Sequence, residues 1–174
     1  MTVAIAMIDP HVPGRTWVGA DSRAQSGSTS RHELRTPKAW QTADGILLAY
    51  SGTAIIGQSL QAERVLPSEA QKTPALKDWI LHSLLPRCIE LVKLYSVERD
   101  DWGVLVAGDG QVYCVDNYEC TEHEVVAIGS GSHYAMGALS VLAELDAEAR
   151  VHRALQAACD HDNRCAPPFT VLHS

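Results

Sequence analysis

The sequence is short of positive charge. Its 174 residues carry 14 Lys and Arg against 21 Asp and Glu, a net charge of -7, and no basic run or Lys/Arg stripe occurs. That excludes a phosphate-tracking nucleic-acid surface, which needs clustered cations, and with it attraction to an anionic membrane. A targeting segment is not expected either. The opening MTVAIAMID contains no cation, and Asp9-Pro10 ends the apolar run well short of a signal or membrane-spanning length. The expected location is the cytoplasm. There Cys88, Cys114, Cys120, Cys159 and Cys165 are expected as reduced thiols, because the count is odd and no C-x-x-C pair marks a structural zinc site. No linker, repeat or low-complexity tract divides the chain, so 1–174 reads as one domain. A domain of that size buries roughly 70% of its unfolded surface.

What is present is a run of short strands, two helices, more strands, two more helices and a last strand. Thr2–Ile8, Arg15–Asp21, Leu34–Trp40 and Ile46–Tyr50 are β-branched or apolar and separated by Pro, Gly and Asp turns. A helix is predicted from Gly52-Thr53 to about Leu66. A second has Thr73 as N-cap, Pro74 at its first position and a stripe of Leu76, Ile80, Leu84, Cys88, Val92 and Tyr95, with Pro86 set to kink it. Trp102–Ala107 and Gln111–Val115 flank Gly108-Asp109-Gly110 as a hairpin, and Glu124–Ile128 adds a strand. Helices near His133–Leu145 and Glu148–Cys159 precede a final strand at Phe169–Leu172. Clustered hairpins with segregated helix pairs give an α+β fold with antiparallel sheets. The apolar faces of the third helix (Ala135, Met136, Ala138, Leu139, Val141) need cover on more than one side, from layering or from another subunit.

Four features bear on chemistry. Thr2 is an ordinary strand residue unless Met1 is removed, in which case it carries a hydroxyl and a free α-amine whose ordinary pKa is about 7.7–8.0. An amine of that basicity takes the hydroxyl's proton directly or through water. Asp21, in GADSRAQSG, ends a strand and reads either as a turn cap or as a buried acid. Lys38 is the sole lysine of the first 71 residues; it reads either as a surface cation or as the partner of Asp21, the pair lowering the cost of an alkoxide. Ser130 lies in AIGSG after a strand. Other constellations fail on pattern. Ser130 or Ser132 with His133 lacks G-x-S-x-G, His161-Asp162-x-x-Cys165 lacks a second ligand pair for zinc, and GSGS lacks the lysine of a phosphate loop.

TVAIA, GADSRAQSG, Lys38, SGTAIIGQSL and AIGSGSHYAMGAL follow one another in an order that resembles the proteasome β-subunit and HslV peptidase family of N-terminal-nucleophile hydrolases. The closing ALQAACDHDNRCAPPF is similar to short bacterial and prophage HslV-like members, and the likeness spans the whole chain. The resemblance implies a four-layer α-β-β-α sandwich and a threonine-type endopeptidase. It makes Thr2 the nucleophile, Asp21 and Lys38 the pair that tunes its hydroxyl, and Ser130 the hydrogen-bonding group near the amine. Asp162 is the implied supporting acid, with Asp160 as second choice, and Gly52 supplies the oxyanion N–H to within a residue. It further implies stacked homo-oligomeric rings around a chamber, a polypeptide substrate, an ATP-dependent unfoldase as candidate partner, and no cofactor beyond a weak Na+ or Mg2+ site in the 159–165 loop. Val3 after the nucleophile, a long turn at Asp9–Gly14 and Cys165 at the place of a serine depart from the family pattern. An amidase acting on a small substrate and an inactive ring-forming scaffold are the alternative functions.

Overall fold

Alternation along each strand builds the layers. On β1 (Ala4–Ile8), Ile5 and Met7, with Val3 just before it, face one side while Ala4 and Ala6 face the other, and all five side chains are buried. A strand buried on both faces must lie between two other layers. The computed structural model describes residues 2–26, 30–63, 76–98, 101–117 and 119–174. Two antiparallel sheets stack in it. The first has the order β10-β1-β2-β11, with β2 at Thr16–Ala20, β10 at Val125–Ile128 and β11 at Thr170–His173. The second has the order β5-β6-β7-β8-β9, from Ala39–Gln41, Leu47–Gly52, Trp102–Gly108, Gln111–Val115 and Cys120–Glu122. A separate hairpin joins β3 (Arg23–Ser26) to β4 (Ser30–Glu33).

Helices cover both outer faces. α1 (Ala54–Glu63) and α2 (Leu76–Leu94) lie on the second sheet; α3 (Ser132–Val141) and α4 (Ala147–His161) lie on the first. Three apolar seams result. Leu48, Tyr50, Val104 and Val106 meet Ile56, Trp79, Leu84 and Leu91 under α1 and α2, while Val3, Ile5 and Met7 meet Leu139, Val151 and Leu155 under α3 and α4. Between the sheets sit Ala4, Ala6, Ala20, Ala49 and Ala107 with a few larger residues, Val18, Leu47 and Leu105 among them. Small side chains there let the sheets approach closely. The α-β-β-α order is the expected one. Gly19 of β2 matters to it: a Cβ there would sit 2.5 Å from Val151 Cγ1, so only glycine lets α4 rest on the strand.

Some boundaries differ from expectation. Leu34–Trp40 is not one strand; only Ala39–Gln41 joins the second sheet, Leu34–Lys38 is irregular, and the strands before it form the β3–β4 hairpin, which the polar sequence did not signal. The three-residue β9 was also unforeseen. The predicted Thr73 cap, with Pro74, and the end of the first helix at Leu66 lie outside the described residues. α2 comprises Leu76–Trp79, a π turn at Ile80–Leu84 and Leu85–Leu94. The break expected at Pro86 thus takes the form of a widened turn, in which the Leu85 N–H reaches back five residues to Ile80 O. The buried stripe then steps from Cys88 to Leu91, leaving Tyr95 46% exposed, because steps of four overshoot a 3.6-residue turn once the π turn has ended. α3 stops at Val141, short of Leu145. α4 starts at Ala147, where Asp146 caps it by accepting the Ala149 N–H at 2.9 Å.

Candidate active site

The first sheet brings Thr2 and Asp21 together. β1 and β2 pair with Ala4 opposite Ala20, so the residue after β2 faces the residues before β1. The Asp21 N–H donates to Val3 O at 3.1 Å, and the Val3 N–H donates to Asp21 Oδ1 at 3.1 Å. Asp21 Oδ2 accepts from the backbone N–H groups of Arg23 (3.0 Å) and Ala166 (3.2 Å). Three amides therefore fix the carboxylate before any cation arrives. Asp21 is buried, so turn-capping bonds and burial occur together at this residue.

Lys38 supplies the cation. It precedes β5 and is 2% exposed, so it is no surface lysine. Its Nζ lies 2.8 Å from Asp21 Oδ1 and 2.6 Å from Thr2 Oγ1, and it also donates to Arg23 O. Burial pushes the Lys38 ammonium below the ordinary lysine value, while the Asp21 carboxylate acts in the opposite sense. The three donors of an ammonium thus face the hydroxyl, the carboxylate and a carbonyl.

The loop after β10 closes over the backbone of Thr2. Gly131 N–H donates to Thr2 O at 3.2 Å, Ser130 Oγ lies 3.5 Å from the same oxygen, and the nitrogen of Thr2 lies 3.4 Å from Ser130 Oγ. Gly129 has φ +91°, and a Cβ on it would fall 2.2 Å from Thr2 O, so this approach requires glycine. The Ser130 hydroxyl also acts on the carboxyl of Asp162, favouring its charged form. Burial pushes that carboxyl up, but donors from Arg164 and Ser130 outweigh it and hold Asp162 below the ordinary carboxylate value. Asp162 is 4% exposed and interacts with Ser130, whereas Asp160 is exposed and bonds Gln156 at 2.7 Å. Cys165 Sγ donates weakly to Asp162 Oδ2 at 3.8 Å; burial pushes this thiol up to about 12.

Gly52 ends β6 with φ +84°, and a Cβ there would lie 2.2 Å from Asp101 O. Thr53 N–H donates to Asp101 O at 2.7 Å, which makes the Gly52–Trp102 couple a non-hydrogen-bonded pair of the ladder. Gly52 N–H therefore turns away from β7, to the side on which Tyr50 N–H donates to Lys38 O at 3.2 Å. A cavity of about 380 Å3 opens beside it, lined by Ser51, Gly52, Asp101, Gly103 and Ser130 among others.

Thr2, Asp21, Lys38 and Ser130 are thus linked by hydrogen bonds, Asp162 interacts with Ser130, and Gly52 borders the cavity that Ser130 also lines. The sequence reading missed Arg164, Arg23, Gly129 and Ala166. Arg23 Nη1 donates to Asn163 O at 2.6 Å and pins the late loop. The D-x-R spacing of Asp162 and Arg164 was the only available signal. Among the described residues no three His, Cys, Asp or Glu side chains gather as metal ligands, and no helix is long and apolar enough to cross a membrane.

No family model and no curated protein matches the chain. Solved structures do. Thiobacillus denitrificans BPH is 22% identical with a TM-score of 0.75, covering 100% of this chain and 97% of that one. The same protein in complex with epoxomicin gives 21% identity and 0.74 over 98% and 97%. HslV from Trypanosoma brucei gives 18% identity and 0.68 over 98% of each chain. The protein has the fold of the HslV-like, proteasome β-type proteins.

Proposed function

We propose that the protein is a threonine peptidase whose nucleophile is Thr2 after removal of Met1. The observation that carries this reading is the buried ammonium of Lys38, 2.6 Å from Thr2 Oγ1 and 2.8 Å from Asp21. A cation held there stabilises developing charge on the hydroxyl oxygen, and burial strengthens the effect. The free α-amine takes the proton as Oγ attacks the substrate carbonyl. The carbonyl oxygen becomes the oxyanion and is received on the Gly52 side, where a backbone N–H stands clear of β7. Collapse expels the amine half of the peptide, which leaves with the proton held by the α-amine, and an ester on Oγ remains. Water, deprotonated by the same amine, attacks the ester and regenerates Thr2. Ser130 and Asp162 orient the amine throughout. The neighbours' fold and the apolar, partly uncovered face of α3, where Val141 is 77% exposed, support self-association into rings.

Intact mass before and after treatment with an epoxyketone peptide tests the reading, because such a reagent closes a ring through both the threonine hydroxyl and its amine. The expected masses are the chain without Met1 and that chain plus one inhibitor. Retained Met1, or a trimmed chain that forms no adduct, overturns it in favour of a scaffold. An adduct without peptide turnover favours an amidase, and peptide turnover surviving in Thr2→Ala rules Thr2 out.

A further inference from the structure

Asp162 occupies an unfavourable place for a charge. It is buried and caps the C-terminal end of α4, a helix of 15 residues whose dipole repels anions there. One neighbour offsets this. Arg164 donates twice to Asp162 Oδ1, from its backbone N–H at 3.0 Å and from Nε at 2.8 Å, though its own side chain is 45% exposed. The thiol of Cys165 at 3.8 Å is a much weaker donor. The remaining titratable groups nearby do not supply a free cation. Asp21 and Lys38 pair at 2.8 Å, burial pushes Cys159 and Cys165 to about 12, Arg23 is engaged with Asn163 O, and His161 stacks on Tyr134 at the surface.

We propose that Arg164 is a positioning residue: by holding the Asp162 carboxylate in place beneath Ser130, it sets the protonation and orientation of the Thr2 α-amine. Hydrogen bonds join Arg164 to Asp162 at 2.8 Å and the nitrogen of Thr2 to Ser130 at 3.4 Å, and the Ser130 hydroxyl couples electrostatically to the Asp162 carboxylate between them. With Arg164 present the carboxylate is balanced, and the amine keeps the low basicity a proton shuttle needs near neutral pH. Without it an unbalanced carboxylate stabilises the ammonium, and the neutral amine is reached only at higher pH. The inference rests on reading Thr2 as the first residue of the mature chain.

The test uses chains that begin at Thr2, released from a cleavable leader, as wild type, R164Q, R164K and D162N. A trace acylating reagent labels the α-amine from about pH 6 to 9, a range bracketing its ordinary value, and mass spectrometry of the N-terminal peptide gives the midpoint. The midpoint is expected to rise by about half a pH unit in R164Q, the size of one nearby charge at intermediate dielectric, and to return to the wild-type value in R164K. In D162N it is expected to fall, because the carboxylate is gone. An unmoved midpoint in R164Q, or an R164K that shifts as R164Q does, overturns the inference. Should R164Q not fold, an unmoved D162N midpoint overturns it and a lowered one supports it. Labelling needs no turnover, so the outcome is separate from whether the protein hydrolyses peptides.

Discussion

Replacing Gly129 by alanine should disable the site while leaving most of the fold standing. At φ +91° an L-residue carries a conformational cost of about 1–2 kcal/mol. The new Cβ would stand 2.2 Å from Thr2 O and 2.8 Å from Thr2 C, where contacts under 3.0 Å are essentially never seen. The loop or Thr2 must therefore move by at least 3.0 - 2.2 = 0.8 Å. Thr2 O is held by Gly131 N–H, and the next amide by Asp21, so the displacement falls on the reacting residue or on Ser130. A misplacement of about 1 Å costs on the order of 100-fold in rate. Overpacking adds about 1–3 kcal/mol, for a total loss of stability of about 2–5 kcal/mol. Gly14→Ala is the matched control: φ is +79° but a Cβ there meets nothing within 4 Å, so it carries the conformational cost alone. Urea unfolding followed by tryptophan fluorescence, with epoxyketone adduct formation as the rate, measures both quantities. If Gly129→Ala forms adduct within about 3-fold of Gly14→Ala, the close approach to Thr2 does not seat the nucleophile and the reasoning is wrong.

Three further outcomes are expected. Lys38→Met should abolish adduct formation. It should also cost about 3–4 kcal/mol in urea, the lower part of the range for a broken buried pair, because Asp21 keeps three backbone donors. With wild-type protein the alkaline limb of the pH–rate profile should fall below the usual lysine range, since burial lowers the Lys38 pKa; a limb at or above that range contradicts the assignment. Burial pushes Asp9 up, yet the Trp17 indole, the His11 and Val12 amides and Arg15 hold its carboxyl below 3.8, and Asp162 is likewise lowered. Carboxylates lowered in the folded state contribute stability that is present above their unfolded value and lost as pH falls through the folded one. The melting temperature should therefore drop below about pH 3.8, with a shallower slope in Asp9→Asn, and an unchanged slope would remove Asp9 from the account.

The parts of the fold visible in the sequence were those governed by local rules. The β7–β8 hairpin was legible because Asp109 and Gly110 both adopt positive φ (50° and 74°), which Asp-Gly tolerates, between two apolar runs. The helices over the first sheet were legible from apolar periodicity. The segment before Trp40 was not. Its strand pattern competes with the need to bury Lys38, and nothing local says that a lysine will point inward at a residue 36 positions away. Asp21 and Lys38 could be proposed from their isolation and from family likeness. Arg164 could not, because its meaning depends on the dipole of α4, the burial of Asp162 and a serine 34 residues upstream, none of which leaves a periodic trace.

The carboxylate of Asp21 accepts a hydrogen bond from Ala166, 145 residues later, Ser22 N–H donates to Ala166 O, and β2 pairs with β11 at the very end of the chain. Asp21, which holds the amide next to Thr2, is therefore itself held by a segment far along the sequence. On the proposed function, a chain without β11 and the loop before it would lack a firm seat for Thr2 however much of it had already collapsed. The same long-range closure makes folding of this sheet slow in comparison with a fold of local contacts. On the proposed function, hydrolysis would thereby depend on pairing between strands drawn from opposite ends of the sequence.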